Sequence, residues 1–532
     1  MKDTNGNKRA WAEWLSSAHA LAFISCFTAG VLTHLYALTN KIPNWDDITD
    51  VNWFGMGTEL GRWLLPHVWR MSTSYSAPAV HGLQAIALVS AAAAVCIAAL
   101  GVRDRAAGVL AGVSFAVFPA LVSGMTYMFT VHCYALAILM SVFGAYITIR
   151  FWRYGWIGGM VLLFLSLSVY QAFYVFASGI FVMSLMGDMA GDEETAQIVK
   201  KGLKYLAVLL VSIFSYILFV RIAGFELISY RGADDMGVLS LSRIPLVIAR
   251  SYHRFIQYFV TKPDSYIGAW TLAFMRGMFV LAYLIPAAAF ILSYRRKGRK
   301  DVLRVVLFFF CLWLTPVAMG GVYIMASGVQ KASTIMIYPY VLIFVMPFAV
   351  LRDEIPDLAD LRDRLKAGPA PGYLNRVLSG MCLCFYLLIV LCSYQFAVLD
   401  GSAYFRSSIA MERVKALYNR IMVRLEEQEG FSYGDRILIC GDWWPEKNIL
   451  SSYELNFERF KDLDGVADEH GFYTSGVRRQ FIRTYLGVDY ENVYEEEGLA
   501  IEATQQYRDM PVWPDQGCVS RINDVWVVKM HD

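Results

Sequence analysis

The sequence predicts a polytopic α-helical membrane protein of about eleven transmembrane helices, followed by a small C-terminal extracytoplasmic α/β domain. Three observations carry this. Only 17% of residues are charged and 57% are hydrophobic, whereas soluble domains are nearer a quarter charged. The apolar excess falls in runs of about 20 residues, the length that crosses roughly 30 Å of hydrocarbon. Lysines and arginines concentrate in alternate loops, as orientation in a membrane requires.

The runs fall at 17–39, 83–101, 107–125, 128–149, 155–170, 173–188, 204–224, 268–294, 303–325, 335–351 and 377–398. A polar stretch, Lys2 to Glu13, precedes the first run, which is too long for the apolar core of a cleaved signal. It reads as an uncleaved signal anchor. One set of alternate loops holds Lys8 and Arg9, Arg103 and Arg105, Arg150 and Arg153, then Lys200 and Lys201. The same set continues with Arg295, Arg296, Lys297, Arg299 and Lys300, and ends with Arg352, Arg362, Arg364 and Lys366. These loops take the cytoplasmic side. The N-terminus is then cytoplasmic and the C-terminus extracytoplasmic. Residues 1–398 form the transmembrane part, with outer loops at 40–82 and 225–267, and residues 399–532 form the soluble domain.

Within 404–428, Ile409, Met411, Val414, Leu417, Tyr418, Ile421, Met422 and Leu425 recur near helical spacing. Arg436 to Gly441 and Asp524 to Lys529 read as buried strands. A helix followed by strands suggests a small α/β unit. Of nine cysteines, seven lie in apolar runs and read as small core residues. Cys440 and Cys518 lie in the tail, where an oxidising compartment permits a disulfide. The net charge of +2 gives no field suited to nucleic acid.

The first outer loop carries the most chemistry: Asn44-Trp45-Asp46-Asp47, then Glu59-Leu60-Gly61-Arg62-Trp63. A carboxylate just beyond a membrane helix can accept a proton from a substrate hydroxyl. A like-charged neighbour or partial burial raises its basicity. The bland reading of an Asp-Asp pair is a solvated, capped turn. Residues 55–70 read as a helix lying on the bilayer surface. Trp45, Trp53 and Trp63 suit an interfacial belt or stacking on a sugar.

Those residues carry a resemblance. Asn-x-Asp-Asp after the first helix, followed by Gly-Arg-Trp at Gly61–Trp63, resembles the type II family of bacterial glucosyltransferases, which are serotype-converting and bactoprenol-glucose-dependent. Ser168-Val169-Tyr170-Gln171, at the outer turn between the fifth and sixth runs, is a second match. The opening of the tail, Ala403 to Gly441, is a third. Oligosaccharyltransferases and protein mannosyltransferases share an acidic first outer loop and would be distant relatives within the C-type glycosyltransferase fold.

The resemblance implies a donor of glucose on undecaprenyl phosphate. It implies a surface-glycan acceptor such as the O-antigen of lipopolysaccharide, and inverting transfer outside the bacterial inner membrane. Asp46 or Asp47 would be the general base. Asp46 is slightly favoured because it lies nearer the helix end, but sequence alone keeps both. The leaving phosphate needs cations: Arg62 first, because it sits in the matched element, then Arg231, Arg254 and Lys331. Glu59, Trp63, Tyr170 and Gln171 complete the candidate substrate-binding set. Asp46, Asp47 and Asp50 offer oxygen ligands, but no His/Cys pattern suits zinc, and relatives of this kind work without metal. Neither a metal nor a cofactor is expected. No phosphate-binding glycine loop with its lysine is present, which argues against cytoplasmic nucleotide sugars.

Two other readings compete. A flippase or transporter of lipid-linked glycans should carry charges at the bilayer midplane and show repeated halves; the spans are nearly free of charge except Arg276, and no repeat is visible. A polymerase or ligase of surface glycans should lean on a large basic outer loop rather than a first-loop carboxylate pair.

Overall fold

The computed structural model describes residues 16–531 except 43, 50–56, 74, 152, 229–242, 262, 326–328, 353–372, 442–456, 467–469 and 474. The chain opens with α1 (Ala18–Thr33), α2 (Leu35–Thr39), α3 (Trp45–Thr49) and α4 (Leu65–Trp69), then α5 (Pro78–Leu100). Next come α6 (Arg105–Val117), α7 (Pro119–Thr126), α8 (Val131–Arg150) and α9 (Gly155–Val169). A 3₁₀ turn, Gln171–Tyr174, leads into α10 (Val175–Ala190), α11 (Thr195–Ile222) and α12 (Ile244–Ile256). The bundle ends with α13 (Ala269–Arg296), α14 (Val302–Met319), α15 (Val322–Met325), a 3₁₀ stretch Thr334–Phe344 and α16 (Met346–Leu351). The last helix of the bundle, α17, runs unbroken over Tyr373–Glu426.

Among the described residues, seven helices are long and apolar enough to cross a membrane, or eight if α6 and α7 form one bent span. The 40° bend between those two falls at Pro119, which cannot donate to the helical ladder. Three further apolar helices, Ala18–Thr33, Gly155–Val169 and Thr334–Phe344, are shorter. The outer face of α11 shows why the bundle needs lipid. Leu203, Leu206, Leu210 and Phe214 are each more than half exposed, a stripe that water would not tolerate. Inside the bundle, α1 packs closely on α6 because Gly108 and Gly112 stand in a G-x-x-x-G spacing. A Cβ at either would lie 2.3 Å from a carbonyl oxygen of Ala18 or Ala22.

The tail is built on a four-stranded sheet. Its strands are β1 (Arg436–Cys440), β2 (Glu491–Asn492), β3 (Val519–Ile522) and β4 (Val525–Lys529), in the order β2-β1-β4-β3. Strand β1 runs parallel to β2 and β4, and β3 is antiparallel to β4. Ile437, Ile439, Trp526 and Val528 face the far half of α17, where Val414, Leu417, Ile421 and Leu425 are buried. Cys440, Val525 and Val527 face the other way, against Ile501 and Met510. The alternation is the strand period of two.

Two expectations need correction. The run at 404–428 is not a separate helix but the continuation of α17, because nothing between the two apolar patterns breaks it except Gly401, which a helix tolerates. Cys440 and Cys518 are both free and buried. They belong to hydrophobic clusters on opposite faces of the sheet, so their sulfurs are not placed to pair.

Candidate functional site

Asn44 and the acidic pair lie at the tail-bearing end of the bundle. Asn44 is buried and caps α3, its Oδ1 accepting from the Asp46 amide at 3.0 Å. Its Nδ2 donates to the Gly465 carbonyl at 3.3 Å, which ties the loop to the tail. Trp45 packs on Gly471, and Ile48 enters the tail core.

Adjacent helical positions point apart, and the two carboxylates have different surroundings. Asp47 is buried, forms an ion pair with Lys41, and lines a cavity of about 490 Å³. Lys41, Tyr75, Ser76, Pro78, Thr484 and Tyr485 line the same cavity. Asp46 is half-buried and acts electrostatically on Tyr134 of α8, as does Arg62. The Arg62 guanidinium lies over the Tyr170 ring at 4.5 Å, and the Tyr134 ring packs on Tyr170 at 4.6 Å. Among the described residues Arg62 has no carboxylate partner, and its buried Nε meets no acceptor.

Gln171 and Glu59 serve the loop itself. Gln171 Nε2 donates to the Leu60 carbonyl at 2.7 Å and to the Tyr216 hydroxyl at 2.8 Å. Tyr216 in turn donates to the Gly61 carbonyl at 3.0 Å. The Glu59 carbonyl accepts from the Ile228 amide at 3.1 Å. Residues 57–69 are not one surface helix. A 3₁₀ turn, Thr58–Leu60, is stopped by Gly61 at φ 71° before α4 begins. Trp63 packs on Phe219 at 4.7 Å and Phe164 at 6.0 Å, and Leu65 and Trp69 are buried.

Gly61 is required here twice over: its φ is left-handed, and a Cβ would meet the Tyr216 hydroxyl at 2.4 Å. Gly61→Ala is therefore expected to cost about 1–2 kcal/mol from the backbone alone and to lower the melting temperature of the purified protein. Combining it with Tyr216→Phe should recover part of the loss by removing the obstructing oxygen. A variant melting with the wild type would contradict the strained turn.

Arg254 and Lys331 belong to a different arrangement. Arg254 is buried and donates to Asp264 through its two terminal guanidinium nitrogens, at 2.9 and 2.7 Å. Lys331 reaches Asp264 at 3.0 Å and Asp462 of the tail at 2.8 Å. The tail segment around it is held by main-chain bonds as well: Thr334 to the Asp462 carbonyl, Ser265 N to Asp462, and Ile335 N to Asp464. Burial opposes the Asp462 charge, yet Lys331 and Ser265 hold its carboxyl below the usual aspartate range. A depressed folded-state value means this contribution is present at neutral pH and is lost only as pH falls through that lowered value.

Arg254→Ala takes the two-pronged partner from a buried carboxylate, leaving it the half-exposed Lys331 and the Tyr266 hydroxyl, and is expected to cost about 3 kcal/mol. Lys331→Ala, with the lysine 46% exposed, should cost about 0–1 kcal/mol. Thermal melts of the two variants check the ranking, which a larger effect for Lys331 would reverse.

The fold thus gathers Asp46, Asp47, Arg62, Trp63, Tyr170 and Gln171 around one loop, while Lys331 ties the tail to Asp264, which Arg254 holds. Arg231, Asp50 and Trp53 lie outside the described residues. Sequence reasoning did not single out Lys41, Tyr134, Tyr75 or Tyr485. Lys41 had a signal, a cation six residues before the acidic pair; the tyrosines had none, because only long-range packing brings them in. His132 stacks on His81 at 4.3 Å, and its Nδ1 meets no partner among the described residues. No three His, Cys, Asp or Glu residues cluster as metal ligands among the described residues.

A bundle of long apolar helices with lipid-suited outer faces defines a polytopic membrane protein, and a cavity lined by Asp47, Lys41 and two tyrosines opens at its tail-bearing end. The profile of the Glucosyl transferase GtrII family matches residues 35–350, more than half of the chain, and the chain belongs to that family. Membership implies glucosyl transfer. The match takes in Asp46, Asp47, Arg62, Tyr170, Gln171 and Lys331 and ends before the tail. No curated protein matches the chain.

Proposed function

We propose that the protein transfers glucose from undecaprenyl-phosphate-glucose to a hydroxyl of a surface glycan, such as the O-antigen, at the extracytoplasmic face of the inner membrane. In this reading all eleven apolar runs span the bilayer, residues 399–532 lie outside as a soluble α/β domain, and the fold is of the C type. The basic residues of the alternate loops support the orientation.

The observation that carries the reading is Asp47. It is the member of the acidic pair that lines a cavity, and an arginine without a carboxylate partner among the described residues lies by the same loop. Asp47 takes the proton of the acceptor hydroxyl. The freed oxygen attacks the anomeric carbon from the side opposite the phosphate, the carbon–phosphate-oxygen bond breaks, and polyprenyl phosphate leaves with inversion. Arg62 meets the charge that develops on the leaving phosphate. Asp46, which like Arg62 acts on Tyr134, belongs to the donor side. Glu59, Trp63, Tyr170 and Gln171 shape that side by fixing the loop and its arginine. Lys331 secures the tail above it. The reaction as written needs no metal.

The direct test is transfer of radiolabelled hexose from synthetic polyprenyl-phosphate-glucose to a cell-surface glycan acceptor in proteoliposomes. Turnover with anomeric inversion supports the reading. Failure of the wild type with this donor, alongside turnover of another lipid-linked sugar, rejects glucose as the transferred group.

A further inference from the structure

The cavity beside Asp47 has walls from two distant parts of the chain. Lys41, Asp47, Ile48 and residues 75–80 supply one side, and Thr484 and Tyr485 of the tail supply the other. Its volume of about 490 Å³ falls within the range of small-ligand sites, about 300–1,000 Å³. Much of the lining is apolar, from Ile48 and residues 77–80, and Tyr75, Ser76, Thr484 and Tyr485 set four hydroxyls and two aromatic rings into it. Lys41, the cation among these lining residues, is already paired with Asp47. Such a surface suits an uncharged sugar ring, which offers hydroxyls at its rim and C–H faces for stacking, and it provides nothing to neutralise a phosphate.

Tyr485 is held rigidly enough to serve. It lies in a π-helical turn, Ile482–Leu486, that directly follows the helix Ser475–Phe481. Turns of this kind often mark functional positions. Its ring packs on Phe481 at 4.9 Å, and Phe481 is fully buried in the tail core. Its hydroxyl is within electrostatic reach of Asp47, which, after burial, helps to hold the phenol above the ordinary tyrosine range.

We propose that the tail completes the acceptor subsite, with Tyr485 and Tyr75 receiving a neutral hexose residue of the acceptor glycan beside Asp47. This rests on the transferase reading and adds to it that the tail reads the acceptor. The lipid phosphate of the donor belongs instead near Arg62, which is not part of this cavity's wall.

The test is sugar binding, measured without turnover. Full-length protein in nanodiscs is exposed to methyl glucoside, galactoside, mannoside and rhamnoside, with binding read by saturation-transfer NMR. At least one glycoside should bind the wild type. Binding should weaken about 3- to 10-fold in Tyr485→Ala, the size expected for one lost aromatic partner. Tyr485→Phe should retain most of it and also guards against a folding defect. Tyr494→Ala, at an 80% exposed tail position, should bind normally. No binding by the wild type, or equal binding by Tyr485→Ala, overturns the inference. Normal sugar binding with no glucose transfer leaves the subsite standing and rejects the catalytic reading.

Discussion

Asp47→Asn is expected to lower glucose transfer by about 10²–10⁴-fold, the range that a positioned general base contributes, with expression and melting temperature little changed. The amide keeps the shape of the carboxyl and its place in the cavity wall. Lys41 loses its partner, but its side chain is 37% exposed and can turn to water, so the structural cost is small. What the amide cannot do is accept the acceptor's proton. Asp46→Asn should have a smaller effect, because Asp46 is not part of the cavity wall and acts instead toward Tyr134, as Arg62 does. Single-turnover rates for the two variants decide between them. A dead Asp46→Asn beside an active Asp47→Asn would move the base to Asp46, and two fully active variants would remove the first-loop base altogether.

The hydrophobic runs were legible because a membrane helix announces itself by length and composition, without reference to its neighbours. Each of the eleven apolar runs contains helix in the structure, and the strands β1 and β4 follow short apolar segments that stand out locally. What local pattern could not show is where a helix stops or continues for reasons of packing. The turn at Gly61 depends on the Tyr216 hydroxyl 155 residues away. The stretch Thr334–Phe344 is 3₁₀ around Pro339, where a plain helix reads equally well. The continuity of α17 from bundle to tail is set by two successive partners, first the bundle and then the sheet.

The candidate site divides the same way. The Asp46–Asp47 pair and Arg62 could be picked from the sequence as chemistry-bearing residues in an unusual place. The difference between the two carboxylates could not, because it comes from Tyr134 on one side and Tyr485 on the other. Gln171 looked like a sugar-binding residue, and its amide nitrogen is bonded to the first loop. A polar residue at a helix turn is ambiguous between binding a ligand and holding its own backbone, and only the partners resolve it.

Arg62→Ala is expected to reduce transfer by about 10²–10³-fold, the cost typical of removing one group aimed at developing charge. The conservative replacement is the more informative one. The Arg62 guanidinium lies over the Tyr170 ring at 4.5 Å with its Nε buried, a cation–π contact of a planar group that a lysine does not reproduce. Lysine keeps the charge but not the planar fork that meets a phosphate through two parallel bonds. Arg62→Lys should therefore recover only part of the rate. If Arg62 only carried its charge to the membrane surface, lysine would replace it fully and alanine would cost little. The comparison is made with saturating acceptor and varied polyprenyl-phosphate-glucose. A donor-side role lowers kcat and kcat/KM for the donor in both variants, with alanine the worse. Equal, near-wild-type rates for Arg62→Ala and Arg62→Lys would take the leaving phosphate away from Arg62 and reopen the choice of cation.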